Sequence, residues 1–95
     1  MTNFYVTYKL KDKETRKAFY EAVKASGAPE KTREEDGCIR YEFFFYADDD
    51  SAVLLWEQWE SREAQKIHLK QPHYLEFDAI KKSYGVEMDV LTEDA

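Results

Sequence analysis

Two neighbouring stretches constrain this chain most: Cys38-Ile39-Arg40-Tyr41-Glu42-Phe43-Phe44-Phe45-Tyr46 and Ala52-Val53-Leu54-Leu55-Trp56-Glu57-Gln58-Trp59. Successive side chains of a strand point to opposite faces, and both stretches are apolar at both parities. Ile39, Tyr41, Phe43 and Phe45 share one face and Phe44 and Tyr46 the other, while Val53 and Leu55 oppose Ala52, Leu54 and Trp56. The acidic segment Ala47-Asp48-Asp49-Asp50-Ser51 joins them as the turn of a hairpin. It lacks the glycine and distal glutamate of an EF-hand loop, so it reads as a solvated turn and not a calcium site. A sheet built on this hairpin has two apolar faces to cover.

The flanking segments say what covers one of them. Residues 4–10 alternate as a strand, with Phe4, Val6, Tyr8 and Leu10 on one side. Asp12 is placed to cap a helix with Phe19, Ala22, Val23 and Ser26 on its inner stripe, and Gly27 stops it. Ala28-Pro29 opens a short turn or helix through Glu35, and Asp36-Gly37 precedes the hairpin. Ser61 caps a helix over about 62–70, Pro72 breaks it and starts another over about 73–83, and Gly85 ends that one. Residues 86–91 alternate as a last strand, and 92–95 is expected to be a frayed acidic tail. The order βαββαβ predicts one α+β domain over 1–95, a ferredoxin-like four-stranded antiparallel sheet with helices on one side. The second apolar face then predicts a homodimer packed sheet to sheet.

Charge and composition narrow the partners. A net charge of -6, with basic residues interspersed among acids, speaks against nucleic acid. The single Cys38 excludes an internal disulfide and fits a reducing compartment. No basic leader and no membrane-length apolar run is read, so a cytoplasmic location away from membranes is expected. Seven Tyr, six Phe and two Trp are many for 95 residues and suit a flat ligand.

The candidate site lies in Glu57–Tyr74. Glu57 and Trp59 share a strand face with Val53 and Leu55, where a carboxylate must be paired, hydrogen-bonded or protonated. Ala64, Ile67 and His68 form one helical stripe; His73, Phe77, Ile80 and Tyr84 form the next, so both histidines turn inward across Pro72. A metal site of His68, His73 and Glu57 is not favoured, since the spacing is not that of an HExxH helix and no second acid is obvious. No metal is expected. Acids Glu35 and Asp36 before Cys38 would hold its thiol protonated, and three scattered glycines build no phosphate loop. What remains is a pocket with His68 and His73 as proton-transfer groups and Glu57, Trp59, Tyr74 and Phe77 around a small aromatic ligand.

The runs Asp36-Gly37-Cys38-Ile39-Arg40-Tyr41, Trp56-Glu57-Gln58-Trp59-Glu60-Ser61 and His68-Leu69-Lys70-Gln71-Pro72-His73-Tyr74 closely resemble the antibiotic biosynthesis monooxygenase (ABM) family, over nearly the whole chain. The small quinol monooxygenases are the most similar branch. The resemblance implies a dimeric α+β barrel and oxygenation of a quinol-type substrate without any cofactor, with the deprotonated substrate itself handing an electron to dioxygen. A phospho-autoinducer-type isomerase and a non-catalytic dimeric binding module are the alternatives. Haem-degrading members are less similar: their ring-contacting Trp falls at His68 and their axial His at Asp78, although Asn3 lies near their strand asparagine.

Overall fold

The computed structural model describes residues 1–95. Its elements are β1 (Thr2–Lys9), α1 (Lys13–Ser26), α2 (Ala28–Arg33), β2 (Cys38–Phe45), β3 (Ala52–Trp59), α3 (Arg62–His68), α4 (Pro72–Ser83) and β4 (Glu87–Asp94). All strand pairs are antiparallel, in the order β2-β3-β1-β4. This is the expected ferredoxin-like α+β arrangement.

Local chemistry sets the boundaries. Asp12 accepts the Thr15 N–H at the start of α1, and Ser61 accepts that of Ala64 at the start of α3, each satisfying a helix-end donor. Gly27 ends α1 at a φ of 75°. Pro72 occupies the first turn of α4, where its missing N–H costs nothing. In the hairpin turn, Asp49 accepts from the backbone and hydroxyl of Ser51 and pairs with Lys9. That aspartate is engaged in turn chemistry.

On the helix side, Val6, Tyr8, Tyr41, Val53 and Leu55 pack against Phe19 and Val23 of α1 and Phe77 of α4. The rings meet at edges, as with Tyr8 and Phe77 at 5.9 Å and 83°. The other face has no helix and carries Tyr5, Leu54, Trp56, Phe44 and Leu91 in adjacent register. Trp56 lies 5.8 Å from Tyr5 and under the guanidinium of Arg40 at 4.2 Å. Phe44 and Leu91 are exposed.

Three expectations change. Ile67, expected on the inner stripe of α3 with Ala64 and His68, is 53% exposed. A bulge between Cys38 and Arg40 removes Ile39 from the row it shared with Tyr41, and its side chain is exposed. The tail does not fray at 92: β4 pairs with β1 through Thr2↔Asp94. Asp94 accepts from Thr2 at 2.8 Å and from Arg62 at 2.7 Å, which ties the last strand to β1 and α3.

Candidate functional site

Glu57 pairs across β3 with Phe4 of β1 and Tyr41 of β2, so it rises from the middle of the sheet beneath α3 and α4. It is 7% exposed. Its Oε1 accepts the indole N–H of Trp59 at 3.0 Å, so each residue answers the other's buried polar need. Burial pushes the Glu57 pKa up to about 7. The Trp59 hydrogen bond and the Lys81 charge oppose that rise, and the Glu35 charge adds to it.

Above Glu57 opens a cleft of about 230 Å³ between the sheet and α3 and α4. Tyr74, Phe77 and Lys81 of α4 line it with Phe4 and Tyr8 of β1. Its far wall is Met88 and Val90 of β4, which stay partly open because no helix lies over that strand. Lys81 Nζ donates to the Tyr74 hydroxyl at 3.3 Å and lies 5.1 Å from the Phe77 ring. Glu57 and Lys81 are the two charged side chains of the cleft. Burial drives the hydroxyls of Tyr8 and Tyr41 well above the ordinary tyrosine range, with the Glu57 charge second, so both stay protonated.

The histidines have different company. His68 ends α3, and its Nδ1–H donates to Glu35 Oε2 at 2.6 Å. His73, in the first turn of α4, donates from Nε2 to the same oxygen at 2.7 Å. Neither lines the cleft. His68 is wedged among Trp59 at 5.0 Å, Tyr74 at 5.0 Å and Tyr41 at 5.8 Å, so no ligand-sized gap separates it from Trp59. Burial lowers its pKa, and Glu35 opposes the fall. Tyr74 both lines the cleft and packs on His68, which is the link between the two groups.

Of the residues singled out in the sequence, then, Glu57, Tyr74 and Phe77 meet at the cleft, Trp59 is fully buried against His68 and does not line it, and His68 and His73 converge on Glu35. Pro72 does turn both rings inward, but the carboxylate they share is Glu35, not Glu57. Glu35 stands in the turn after α2, and periodicity says nothing about such a position. Gly37 brings that turn under α3: its φ is 85°, its carbonyl accepts the Glu60 N–H at 2.8 Å, and a Cβ there would meet that of Ala64 at 2.7 Å. Lys81 was also missed, although its spacing of four from Phe77 and seven from Tyr74 puts it on the inner stripe of α4. Cys38 keeps its thiol, with burial first and the Glu35 charge second raising its pKa to about 11.

A family model described as antibiotic biosynthesis monooxygenase matches residues 4–79, which span most of β1 through most of α4 and so take in Glu35, Glu57, both histidines, Tyr74 and Phe77, with Lys81 and β4 beyond the match. The chain belongs to the antibiotic biosynthesis monooxygenase family. Over 75 residues it is 33% identical to the uncharacterized protein YjcS of Bacillus subtilis, an alignment covering 76% of this chain and 69% of that protein. The structure of Rv0793 from Mycobacterium tuberculosis superposes with a TM-score of 0.78 at 26% identity, covering 100% of this chain and 97% of that one. SnoaB of Streptomyces nogalater, a cofactor-independent oxygenase, superposes with a TM-score of 0.75 over 99% of this chain and 91% of its own. At 14% identity that likeness is one of fold. In this ABM-family chain Asn3 lies on the helix-free face, where it accepts the Trp56 indole N–H at 3.0 Å, away from the cleft. No helix is long and apolar enough to cross a membrane.

Proposed function

We propose that this chain oxidises a small electron-rich phenol of the hydroquinone type with dioxygen, and that Glu57 accepts the proton leaving the substrate. One observation carries the reading: a buried carboxyl with its pKa near neutrality opens onto an otherwise largely apolar cleft. A base poised near the working pH is what general base catalysis requires. The phenolate formed is a far better electron donor than the phenol. It passes one electron to dioxygen, the resulting pair joins at a ring carbon as a peroxide anion that takes the proton back from Glu57 to become the hydroperoxide, and loss of the ring hydrogen with the outer oxygen as water leaves a carbonyl there. One hydroquinone and one dioxygen thus give one hydroxyquinone and one water, with all four electrons drawn from the substrate. Lys81 supplies positive charge beside the anionic intermediates, and the aromatic walls hold the ring flat.

In this reading His68 and His73, expected from the sequence as the bases, act through position: they fix Glu35, and His68 backs the Tyr74 wall. The helix-free face, with Trp56, Phe44 and Leu91, is the surface through which a second copy completes an α+β barrel. A cleft with one lysine as its sole cation offers little to a phosphorylated substrate, which counts against the isomerase alternative.

The test is dioxygen uptake by the full chain with a panel of benzo- and naphthohydroquinones. Equimolar consumption of quinol and dioxygen above the spontaneous rate is expected, reduced by about 10²–10⁴-fold in Glu57→Gln. Uptake no faster than without protein, across the panel, would leave the binding module as the surviving alternative.

A further inference from the structure

Glu35 faces a second cavity that the oxygenase reading does not use. It is a surface cleft of about 560 Å³, and Glu34, Asp36, Glu60 and Glu63 line it together with Glu35. No lysine, arginine or histidine does, and it shares no lining residue with the aromatic cleft. Five carboxylates around one opening raise the local concentration of cations. At Glu35, this acidic surface meets the two imidazoles.

We propose that Glu35, His68 and His73 bind one divalent first-row transition ion, which arrives through the acidic cleft and keeps solvent in its remaining positions. The three donors come from separate elements, namely the turn after α2, the last residue of α3 and the first turn of α4. Their candidate ligand atoms lie within 4.8 Å of one another. Two imidazoles and one carboxylate are a donor set suited to zinc, cobalt or iron, and poorly suited to magnesium or calcium.

The geometry needs a small adjustment. Metal bonds of about 2.0–2.2 Å place donors on one ion roughly 3–3.5 Å apart, against 2.6 and 2.7 Å for the present hydrogen bonds. The carboxylate therefore retreats by roughly half an ångström to one ångström as the ion enters, and donors standing as much as 4.8 Å apart close towards each other by roughly one ångström or more, His73 in the first turn of α4 moving towards the tightly packed His68. The Glu35 backbone is tied in the turn, its N–H to the Thr32 carbonyl at 3.0 Å and its carbonyl to the Cys38 N–H at 3.2 Å, so the movement is one of its side chain. Each ring now donates a proton to the carboxylate; on coordination it turns a lone pair to the ion and carries the proton on its other nitrogen. Ring charge is unchanged by that exchange. His68 is held by Trp59, Tyr41 and Tyr74, and this packing keeps its ring in place for coordination.

Calorimetric titration of the chelator-treated full chain with zinc, and visible absorption with cobalt, test the proposal without reference to turnover. Saturable binding of one ion per chain is expected. Glu35→Gln, which keeps the side-chain shape, and His73→Ala should each weaken it by more than the roughly 10–100-fold typical of outer-shell changes. Glu57→Gln, the variant that disables the proposed oxygenase, should keep one-ion binding and change the affinity by less than about tenfold, since Glu57 touches none of the three donors and a glutamine still accepts the Trp59 N–H. Absence of saturable binding, or binding that survives intact in Glu35→Gln and His73→Ala, would overturn the site and leave the trio a structural hydrogen-bond network.

Discussion

The Glu35 carboxylate and the His68 imidazole, 33 residues apart in the chain, meet at 2.6 Å, and the same oxygen takes the His73 N–H at 2.7 Å. One carboxylate thus joins the turn after α2 to both helices that flank Pro72. The pair should be energetically coupled. In a double-mutant cycle with Glu35→Gln and His68→Gln, urea unfolding at fixed protein concentration should return a coupling of about 1–3 kcal/mol. Strict additivity would mean that the contact adds nothing to stability.

If Glu57 is the base, rate should follow its ionisation. With a folded pKa of about 7 in the free protein, log(kcat/KM) should climb with pH through the acid range and level off above neutrality. Steady-state dioxygen uptake checks this. The residual rate of Glu57→Gln should lack that limb, and an unchanged profile in the variant would assign the proton transfer to another group.

Glu57 also predicts a stability slope of definite sign. Its folded pKa of about 7 lies above the ordinary 4.5, so the folded state holds a proton that the unfolded chain has lost. Below the lower value both states are protonated and Glu57 contributes nothing. Between the two values stability falls as pH rises, and above the upper one the full cost is present. Glu57→Gln should therefore stabilise the protein above neutrality, by up to about 3 kcal/mol, and have little effect near pH 4. Denaturant melts at both pH values measure the difference.

Two glycines separate backbone strain from contact. Both Gly27 and Gly37 have positive φ, but a Cβ on Gly27 meets nothing within 4 Å, whereas one on Gly37 meets Ala64 at 2.7 Å. Gly27→Ala should cost about 1 kcal/mol and Gly37→Ala roughly 2–4 kcal/mol, read as shifts in thermal unfolding. Equal shifts would show that α3 moves aside without cost.

The helix-free face gives the last prediction. Leu91, 66% exposed, stands opposite Tyr5, whose other neighbour in register is Trp56. Light scattering should report twice the chain mass for the native protein and a shift towards one chain for Leu91→Lys, with helical content retained. A native protein of single-chain mass at micromolar concentration would remove the barrel.

Much of this was readable in the chain because local rules govern it. Alternation in β1, β2 and β3, the Asp12 and Ser61 caps, the stop at Gly27 and the Pro72 break all act within a few residues, and they yield the βαββαβ order. The placement of Glu57 beside Trp59 was legible for the same reason, since residues two apart on a strand share a face. Lys81 was legible in principle, by its helical spacing from Phe77, but a lysine on an inner stripe reads as an exception until a cavity is seen to receive its charge.

Other features depended on the packing of distant segments. The bulge at Ile39, the pairing of β4 through Asp94 and the partner of each histidine arise from contacts between elements far apart in the chain. Periodicity correctly turned His68 and His73 inward, yet inward is a direction and not a partner. The close approach of Gly37 to Ala64 carries Glu35 beneath both rings, whereas Glu57 is held beside Trp59 and left facing the aromatic cleft. The sequence determined the elements and the facing of most of their side chains, Ile39 and Ile67 excepted. Tertiary packing decided which carboxylate each ring would meet, because that depends on how separate elements come to rest against one another.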